Sequence, residues 1–363
     1  MKIAIVGLPK SGKTTIFNAL TGGKAEVAAY SPSLVPNIGV AKVPDSRLFT
    51  LENIFHPKKT IPAEVNYADI AGSPKAFGGK GEMGGELLNY LTTADALLQV
   101  VRTFEDENFP HPEGNIDPKR DITTLDLELA FSDLTIIDRR LERLEKSLKA
   151  AKASEHALYA KEQLLLRKIK TELDKDIPIR QQDLNKEELK MLSSYQFLTA
   201  KPMLAVLNIG EEQIPQASLL ENEIESAYPQ FAVVALCGKL EMELSQLGEA
   251  EAREFREAMG LATPALNRVI DLSYRLLGLI SFFTTASAEL KAWTTPRSST
   301  APEAAGKVHT DMERGFIRAE IVSYSDLERC GSSAEARKQG LLRMEGKSYV
   351  IQDGDIVTFL FNI

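Results

Sequence analysis

Gly7-Leu8-Pro9-Lys10-Ser11-Gly12-Lys13-Thr14 constrains this chain more than any other stretch: a glycine, four open positions, then Gly-Lys-Thr. Before it, Lys2-Ile3-Ala4-Ile5-Val6 is the apolar, β-branched run of a buried strand, and Thr15-Ile16-Phe17-Asn18-Ala19-Leu20 after it reads as a helix. A strand, a glycine-bracketed turn and a helix start aim several N–H groups at one point. With the positive end of the helix dipole they make an anion site suited to a β-phosphate. Lys10, Ser11, Gly12, Lys13, Thr14 and Thr15 are the expected phosphate-binding residues. Lys13 is expected to bridge the β- and γ-phosphates and the Thr14 hydroxyl to ligate Mg²⁺. Gly7 and Gly12 supply turn geometry and room that a Cβ would obstruct. A chance match in a βα turn is the alternative, and the strand, spacing and helix together count against it.

The 363 residues suffice for two or three domains, and 44% hydrophobic with 26% charged residues is ordinary for a soluble globular chain. No apolar run reaches the length of a bilayer span, and a strand directly after Met1 leaves no room for a signal peptide. Cys237 and Cys330 lie far apart and in no metal-binding spacing, which points to a reducing cytosol, so a cytoplasmic location is expected. The scattered His56, His111, His156 and His309 argue against a zinc site. A net charge of −8 disfavours non-specific DNA coating while leaving room for a local basic face.

Apolar strands alternate with helical stretches up to about Phe104, the pattern of an α/β sheet. Residues 63–70 read as a second strand and 96–101 as a third, with a glycine- and lysine-rich segment expected to be mobile between Gly72 and Gly85. Leu127, Leu134, Leu141 and Leu148 then recur every seven residues, with Ala130, Ile137 and Leu144 three further on. That is an a/d seam. After a turn near Ala153-Ser154-Glu155, the residues Leu158, Leu165, Ile169 and Leu173 resume a helical stripe. An antiparallel helical hairpin inserted into the α/β domain follows from this, and the surrounding Lys, Arg and Glu favour a projecting arm. The sheet resumes at 202–208 and 231–236, residues 249–259 form a charged helix, and 263–279 the last helix of the first domain. A Thr/Pro/Ser-rich stretch, 294–305, interrupts a small C-terminal unit with strands at 318–322, 348–351 and 356–361 and a turn at Asp353-Gly354.

Asp69-Ile70-Ala71-Gly72 closes the second strand with Asp-x-x-Gly. In P-loop NTPases that aspartate holds the Mg²⁺ shell and the glycine N–H senses the γ-phosphate. The next residue is Ser73, where switch GTPases carry a water-orienting glutamine; a serine is too short for that, so slow intrinsic hydrolysis is expected. A guanine site ends its strand in Asn-Lys-x-Asp, but here the strand ends in Asn208-Ile209-Gly210-Glu211. Adenine repels a carboxylate at N1 and offers a donor at N6, which Asn208 or a backbone carbonyl can accept. ATP is therefore expected to bind at least as well as GTP.

These residues resemble the YchF/Obg-like ATPases, a branch of the Obg GTPases, over almost the whole chain. Pro36-Asn37-Ile38-Gly39 followed by Val43-Pro44-Asp45-Ser46-Arg47-Leu48 resembles the family's switch I and the strand after it. Phe104-Glu105-Asp106 and Asn115-Ile116-Asp117-Pro118 resemble the start of its coiled-coil arm, and Asn208 with Glu211 its Asn-x-x-Glu, the feature tied to ATP use. Phe282-Phe283-Thr284, Ala292-Trp293-Thr294, His309-Thr310-Asp311, Gly315-Phe316-Ile317-Arg318-Ala319-Glu320 and Gln352-Asp353-Gly354-Asp355 are similar to its TGS domain. The resemblance implies a P-loop NTPase G domain (1–125 and 199–279), an inserted helical coiled-coil arm (126–198) and a C-terminal ubiquitin-like (β-grasp) TGS domain (280–363). It implies a cytoplasmic Mg²⁺-dependent ATPase, a monomer, that associates with ribosomes in translation and stress control. Ser33 stands at the family's Mg²⁺-binding switch threonine, Ile209 at its adenine-contacting backbone position, and His111 of His111-Pro112-Glu113-Gly114 at the histidine implicated in hydrolysis. By itself, a histidine between two prolines is more often a solvated loop residue.

Departures from the family fall in the switches: Pro32, Ser73, and Gly81-Glu82-Met83-Gly84-Gly85-Glu86 in place of Gly-Glu-Gly-Leu-Gly-Asn. They bear on the rate and control of hydrolysis and leave phosphate binding untouched. Two other functions stay open at this point: a GTP-specific ribosome-associated GTPase, and a scaffold that nucleotide stabilises with negligible turnover.

Overall fold

The computed structural model describes residues 1–23, 25, 36–70, 82–150, 152–259, 261, 264–286 and 288–362. The chain begins β1 (Lys2–Val6), α1 (Lys13–Thr21), β2 (Asn37–Lys42), α2 (Arg47–Phe55), β3 (Lys59–Ile61), β4 (Glu64–Asp69), α3 (Glu82–Thr93) and β5 (Ala96–Arg102). Two long helices follow, α4 (Pro118–Ala150) and α5 (Ala153–Leu173). Then come α6 (Lys186–Leu192), β6 (Met203–Asn208), α7 (Ala217–Ala227), β7 (Ala232–Leu236), α8 (Gly238–Leu244), α9 (Glu249–Ala258) and α10 (Ala265–Leu276). The last stretch holds β8 (Leu279–Ala286), β9 (Glu289–Pro296), α11 (Ala301–Val308), α12 (Thr310–Arg314), β10 (Phe316–Ser323), α13 (Tyr324–Cys330), α14 (Ser333–Lys338), β11 (Arg343–Glu345) and β12 (Asp355–Phe361). Two compact units result: Met1–Gly39 with Asn66–Leu266, and Val40–Val65 with Asn267–Ile363.

The first unit is built on a sheet of order β2-β4-β1-β5-β6-β7. β4, β1, β5, β6 and β7 run parallel. Every residue of β5 and β6 is buried, which is why these strands read as mainly apolar runs, interrupted in β5 by Gln99, and not as an alternation. Val6, Leu97, Ala205 and Leu207 belong to one core cluster with Ile122, Leu125 and Leu129 of α4. Burial of each such Leu, Ile or Val side chain contributes about 1.5–3 kcal/mol. Strand order reverses at β1, with β4 on one side and β5 on the other, so a crevice opens at the carboxyl end of β1. Gly7 follows that end, and Asp69 and Asn208 close β4 and β6.

α4 and α5 fold back on each other, burying Ala130, Ile137 and Leu144 against Leu165, Leu166, Ile169 and Leu173. The expected seam is thus occupied, but unevenly: Leu134 and Leu141 are only partly buried. Leu158, counted in the stripe, is 58% exposed. The middle of α4 is tied to the segment that leads into β6 by polar contacts. Asp133 accepts from the Leu198 N–H at 2.8 Å, the Thr199 N–H at 2.8 Å and the Thr199 hydroxyl at 2.7 Å. Burial nonetheless pushes its carboxyl up to about 6. Two residues beyond Thr199, the Lys201 ammonium donates to the Thr92 and Ala94 carbonyls at 2.9 and 2.5 Å, capping the end of α3.

The second unit carries a sheet of order β11-β10-β12-β8-β9-β3. Its central pair, β8 and β12, is parallel; β8 and β9 form an antiparallel hairpin, and β3 joins β9 in parallel. Phe282, Phe316, Ile321, Val357 and Phe359 form its core with Ala301, Ala304 and Ala305 of α11. Arg47 of α2 holds Asp353 with both terminal nitrogens (3.0 and 3.3 Å) and Asp45 through Nε and Nη2 (2.9 and 2.8 Å), with its guanidinium over the Phe283 ring.

Several sequence expectations need correction. Residues 43–48, expected as the strand after switch I, contain no strand: β2 ends at Lys42 and α2 begins at Arg47. Residues 348–351 do not form a ladder strand; Val350 makes only an isolated bridge to Thr300. The Thr/Pro/Ser-rich stretch 294–305 includes the end of β9 and the start of α11, where the Thr300 hydroxyl and Glu303 close a capping box. Glu82–Gly85, expected in the mobile segment, open α3, and the remainder of that segment lies outside the described residues. The division into units assigns Asn267 onward, within the helix expected to close the first domain, to the second unit.

Candidate nucleotide site

The turn from β1 into α1 holds two glycines that no other residue can replace. Gly7 sits at φ 151°, where a Cβ would lie 2.4 Å from the Val100 carbonyl oxygen. Gly12, the N-cap of α1, sits at φ 92°, and its Cβ would meet Asn208 Nδ2 at 2.1 Å. No side chain caps α1 and no acidic residue stands in its first turn, so the early N–H groups and the positive helix end stay available to an anion. Lys13 folds back over the loop, its ammonium donating to the Gly7 and Leu8 carbonyls at 3.0 and 3.1 Å. Burial lowers this ammonium to about 8, and the Asp69 carboxylate opposes the shift only in part. Ser11 is buried, Lys10 is exposed and Thr15 lies between.

The Thr14 hydroxyl donates to Asp69 Oδ2 at 2.7 Å, and Asn37 Nδ2 approaches the same oxygen at 3.5 Å. Asp69 is 2% exposed, yet its Oδ1 has no hydrogen-bond partner among the described residues, and neither has the buried Ser11 hydroxyl. Orphaned buried oxygens are rare, and a hard cation with its water shell satisfies a carboxylate oxygen of this kind. Thr14 and Asp69 therefore fit a Mg²⁺ site. Ser33, Gly72 and Ser73 lie outside the described residues.

On the base side, Asn208 is buried and acts as a bracket: Nδ2 donates to the Ser11 carbonyl at 2.9 Å, and Oδ1 accepts from the Gly238 N–H at 3.0 Å. Its side chain thus ties the phosphate loop to the start of α8. The Ile209 N–H donates to the Leu236 carbonyl at 3.0 Å. Glu211 pairs with Lys239 at 3.2 Å, both well exposed. Sequence reasoning missed Thr103 and Gln213, which hold this turn from behind: the Thr103 hydroxyl donates to the Asn208 carbonyl at 2.8 Å, and Gln213 reaches Gly210 and Thr103. A glutamine three residues after Gly210 is a helix-start signal that points to this arrangement.

His111 is not a solvated loop residue: its side chain is 3% exposed. Nδ1 accepts from the Glu113 N–H at 3.2 Å, so the proton on Nε2 is donated to Asp121 Oδ2 at 2.8 Å. Arg120 grips the other Asp121 oxygen through Nε and Nη2 at 3.1 and 2.9 Å. Asp121 and Arg120 belong to the first turn of α4, and Glu113 to the loop before it. Among the described residues, His111 bonds to no member of the phosphate loop. The structure thus gathers Lys13, Thr14, Asp69 and Asn208 at one site and holds His111 in a separate network.

Comparison with known proteins bears on both parts of the chain. A family model described as 50S ribosome-binding GTPase matches residues 2–134, and the YchF GTPase C-terminal model, described as a protein of unknown function, matches 279–362. A protein named ribosome-binding ATPase YchF from Bacillus subtilis (strain 168) is 40% identical over 365 residues, spanning 99% of this chain and 98% of the relative. One of the same name from Escherichia coli O157:H7 is 38% identical over 365 residues, spanning 100% and 99%. The solved structure of the Schizosaccharomyces pombe YchF GTPase superposes with a TM-score of 0.85 at 29% identity, covering 99% of this chain and 97% of that one.

Proposed function

Because this chain belongs to the YchF family of proteins with a P-loop GTPase fold, we propose that it is a cytoplasmic ATP-hydrolysing switch that engages the ribosome. The observation that carries this reading is the Thr14–Asp69 pair at 2.7 Å beside Lys13, with Asp69 Oδ1 buried and unpartnered among the described residues. On nucleotide binding, Lys13 leaves the Gly7 and Leu8 carbonyls for the β- and γ-phosphates, and the first N–H groups of α1 receive the β-phosphate. Thr14 and Asp69, with Ser33, would hold Mg²⁺, which would supply neutralisation of the triphosphate charge. The Gly72 N–H reads the γ-phosphate, so that hydrolysis releases both switches.

ATP is favoured over GTP because the turn after β6 lacks the lysine and the aspartate of a guanine site, and the Ile209 carbonyl can accept from adenine N6. The helical arm (126–198) and the C-terminal TGS domain (280–363) present the state-dependent surface to an RNA–protein partner. Relatives named ribosome-binding ATPases support the ribosome as that partner. His111 takes part in hydrolysis only after leaving Asp121, which makes turnover by the isolated protein slow. The same observation favours a second reading, a nucleotide-stabilised scaffold without turnover. Phosphate release from ATP and GTP, measured with and without ribosomes, separates them. Absence of release above background under all conditions selects the scaffold, a hundredfold preference for GTP defeats the ATP assignment, and unchanged turnover in His111→Ala removes the histidine.

A further inference from the structure

The cations of the helical arm fall into two sets. One set is spent on carboxylates across the hairpin: Arg140 pairs with Glu162 at 2.8 Å, Arg167 with Glu145 at 3.1 Å and Lys170 with Asp138 at 2.5 Å. The other set, Arg139, Arg143, Lys146 and Lys149 of α4, is exposed and has no ion-pair or hydrogen-bond partner among the described residues. At about 100° per residue these four fall on one side of α4, opposite the buried Ile137 and Leu144. The row runs about 15 Å along the helix. Glu142 alone opposes it on that side between residues 139 and 149.

Helix formation does not account for this row. Like charges three or four residues apart destabilise a helix, and here they follow one another as Arg139–Arg143, Arg143–Lys146 and Lys146–Lys149. A cation near the C-terminal end of α4 complements the helix dipole, but that benefit fades within the last turn and reaches only Lys149. The surroundings of the row narrow its partner. No apolar or aromatic side chain interrupts this side of α4 between Arg139 and Lys149. It therefore lacks the anchor of a protein interface and the stacking platform of a single-strand site. Guanidinium and ammonium groups set in a row match the phosphates of a duplex, where each contact releases condensed counterions. We propose that this side of the arm is a docking surface for the phosphate backbone of duplex RNA, met by its shape and charge. This names the chemistry by which the arm meets an RNA–protein partner and rests on that reading of the arm.

The test uses the full-length protein. Binding of a fluorescein-labelled RNA duplex is followed by anisotropy across a KCl series for wild type, Arg143→Gln and the combined Arg139→Gln/Arg143→Gln/Lys146→Gln/Lys149→Gln variant. Lys161→Gln is the charge control, because that ammonium is spent on Glu187 at 2.7 Å. The slope of log Kd against log salt should be about 3–4 in wild type, fall by about 1 in Arg143→Gln and stay unchanged in Lys161→Gln. At about 0.1 M salt the combined variant should bind about 100-fold or more weakly, with ATP affinity kept and melting temperature not lowered. A combined variant that binds the duplex like wild type, or a wild type that binds none, overturns the proposal. Should the combined variant not fold, an unchanged slope in Arg143→Gln has the same force. Sedimentation with ribosomes separates the two readings. A wild type that cosediments but binds no duplex loses this proposal alone, and if the combined variant then stops cosedimenting, the row belongs to an acidic protein surface. Duplex binding that depends on the row, without cosedimentation, removes the ribosome and keeps the docking surface.

Discussion

Raising the pH should weaken ATP binding by this protein well before an ordinary lysine loses its charge. The Lys13 ammonium is held by two carbonyls, at 3.0 and 3.1 Å, and burial lowers it to about 8 although Asp69 pulls the other way. Only the charged form can bridge two phosphates. In the free protein about nine-tenths of Lys13 is charged at pH 7 and about one-tenth at pH 9, so the apparent Kd for ATP should rise about tenfold between them, or about 1.4 kcal/mol. Because the phosphates draw the proton back, ATP binding at pH 9 should take up about 0.9 proton, and at pH 7 about 0.1. Isothermal titration calorimetry in two buffers of different ionisation enthalpy reads both numbers. The sign for folding is opposite. The folded lysine lies below its unfolded value of 10.5, so its charged form costs stability below about 8, and that cost fades as pH rises from there toward 10.5. A Kd that stays flat to pH 9 with no proton uptake would show that Lys13 is as well solvated as a surface lysine and refute the reasoning.

Further predictions concern individual residues. Gly12→Ala should abolish detectable ATP binding by the same calorimetry, because its Cβ meets Asn208 Nδ2 at 2.1 Å in a left-handed backbone. Asp69→Asn should raise the Mg²⁺ concentration for half-maximal ATP binding by about tenfold or more, since the site loses its buried charge. Asp133→Ala leaves the three donors from Leu198 and Thr199 without their acceptor and should cost about 3 kcal/mol in urea unfolding at an unchanged m-value. Arg47→Ala should lower the unfolding free energy by about 1–2 kcal/mol, and a cycle with Asp353→Ala should show less than additive loss.

The strand–glycine loop–helix geometry of the candidate site was legible in the sequence because it is local: strand, glycines, lysine and helix all fall within Lys2–Thr21. The parallel strands were legible for a different reason, burial on both faces, which makes β6 apolar up to Asn208 and β5 apolar but for Gln99 and Arg102. Elements whose existence depends on distant partners were not. β3 is only Lys59-Thr60-Ile61, too short to show a period, and it is a strand because Glu289-Leu290-Lys291 lies beside it. Val350 has strand composition, but β10 already has β11 and β12 on its two sides, which leaves 348–351 no place in that ladder. Leu158 fitted the heptad arithmetic and is exposed all the same, since periodicity gives a face and not how far along a helix the partner extends. The burial of His111 was equally hidden, being set by Asp121 and Arg120 about ten residues on.

The Arg47–Asp353 clasp joins residues 306 apart along the chain. During synthesis at about 5–20 residues per second, Arg47 is made about 15–60 s before Asp353. Through that interval the nascent Val40–Val65 excursion has neither its β9 neighbour nor Asp353, and Leu51, fully buried in the finished molecule, lacks its cover. The N-terminal half can therefore mature its phosphate loop early, whereas the excursion between β2 and β4 waits for the last residues to emerge. A chain cut short before β8 would leave that excursion as a sticky flap, a ready target for chaperones and proteases.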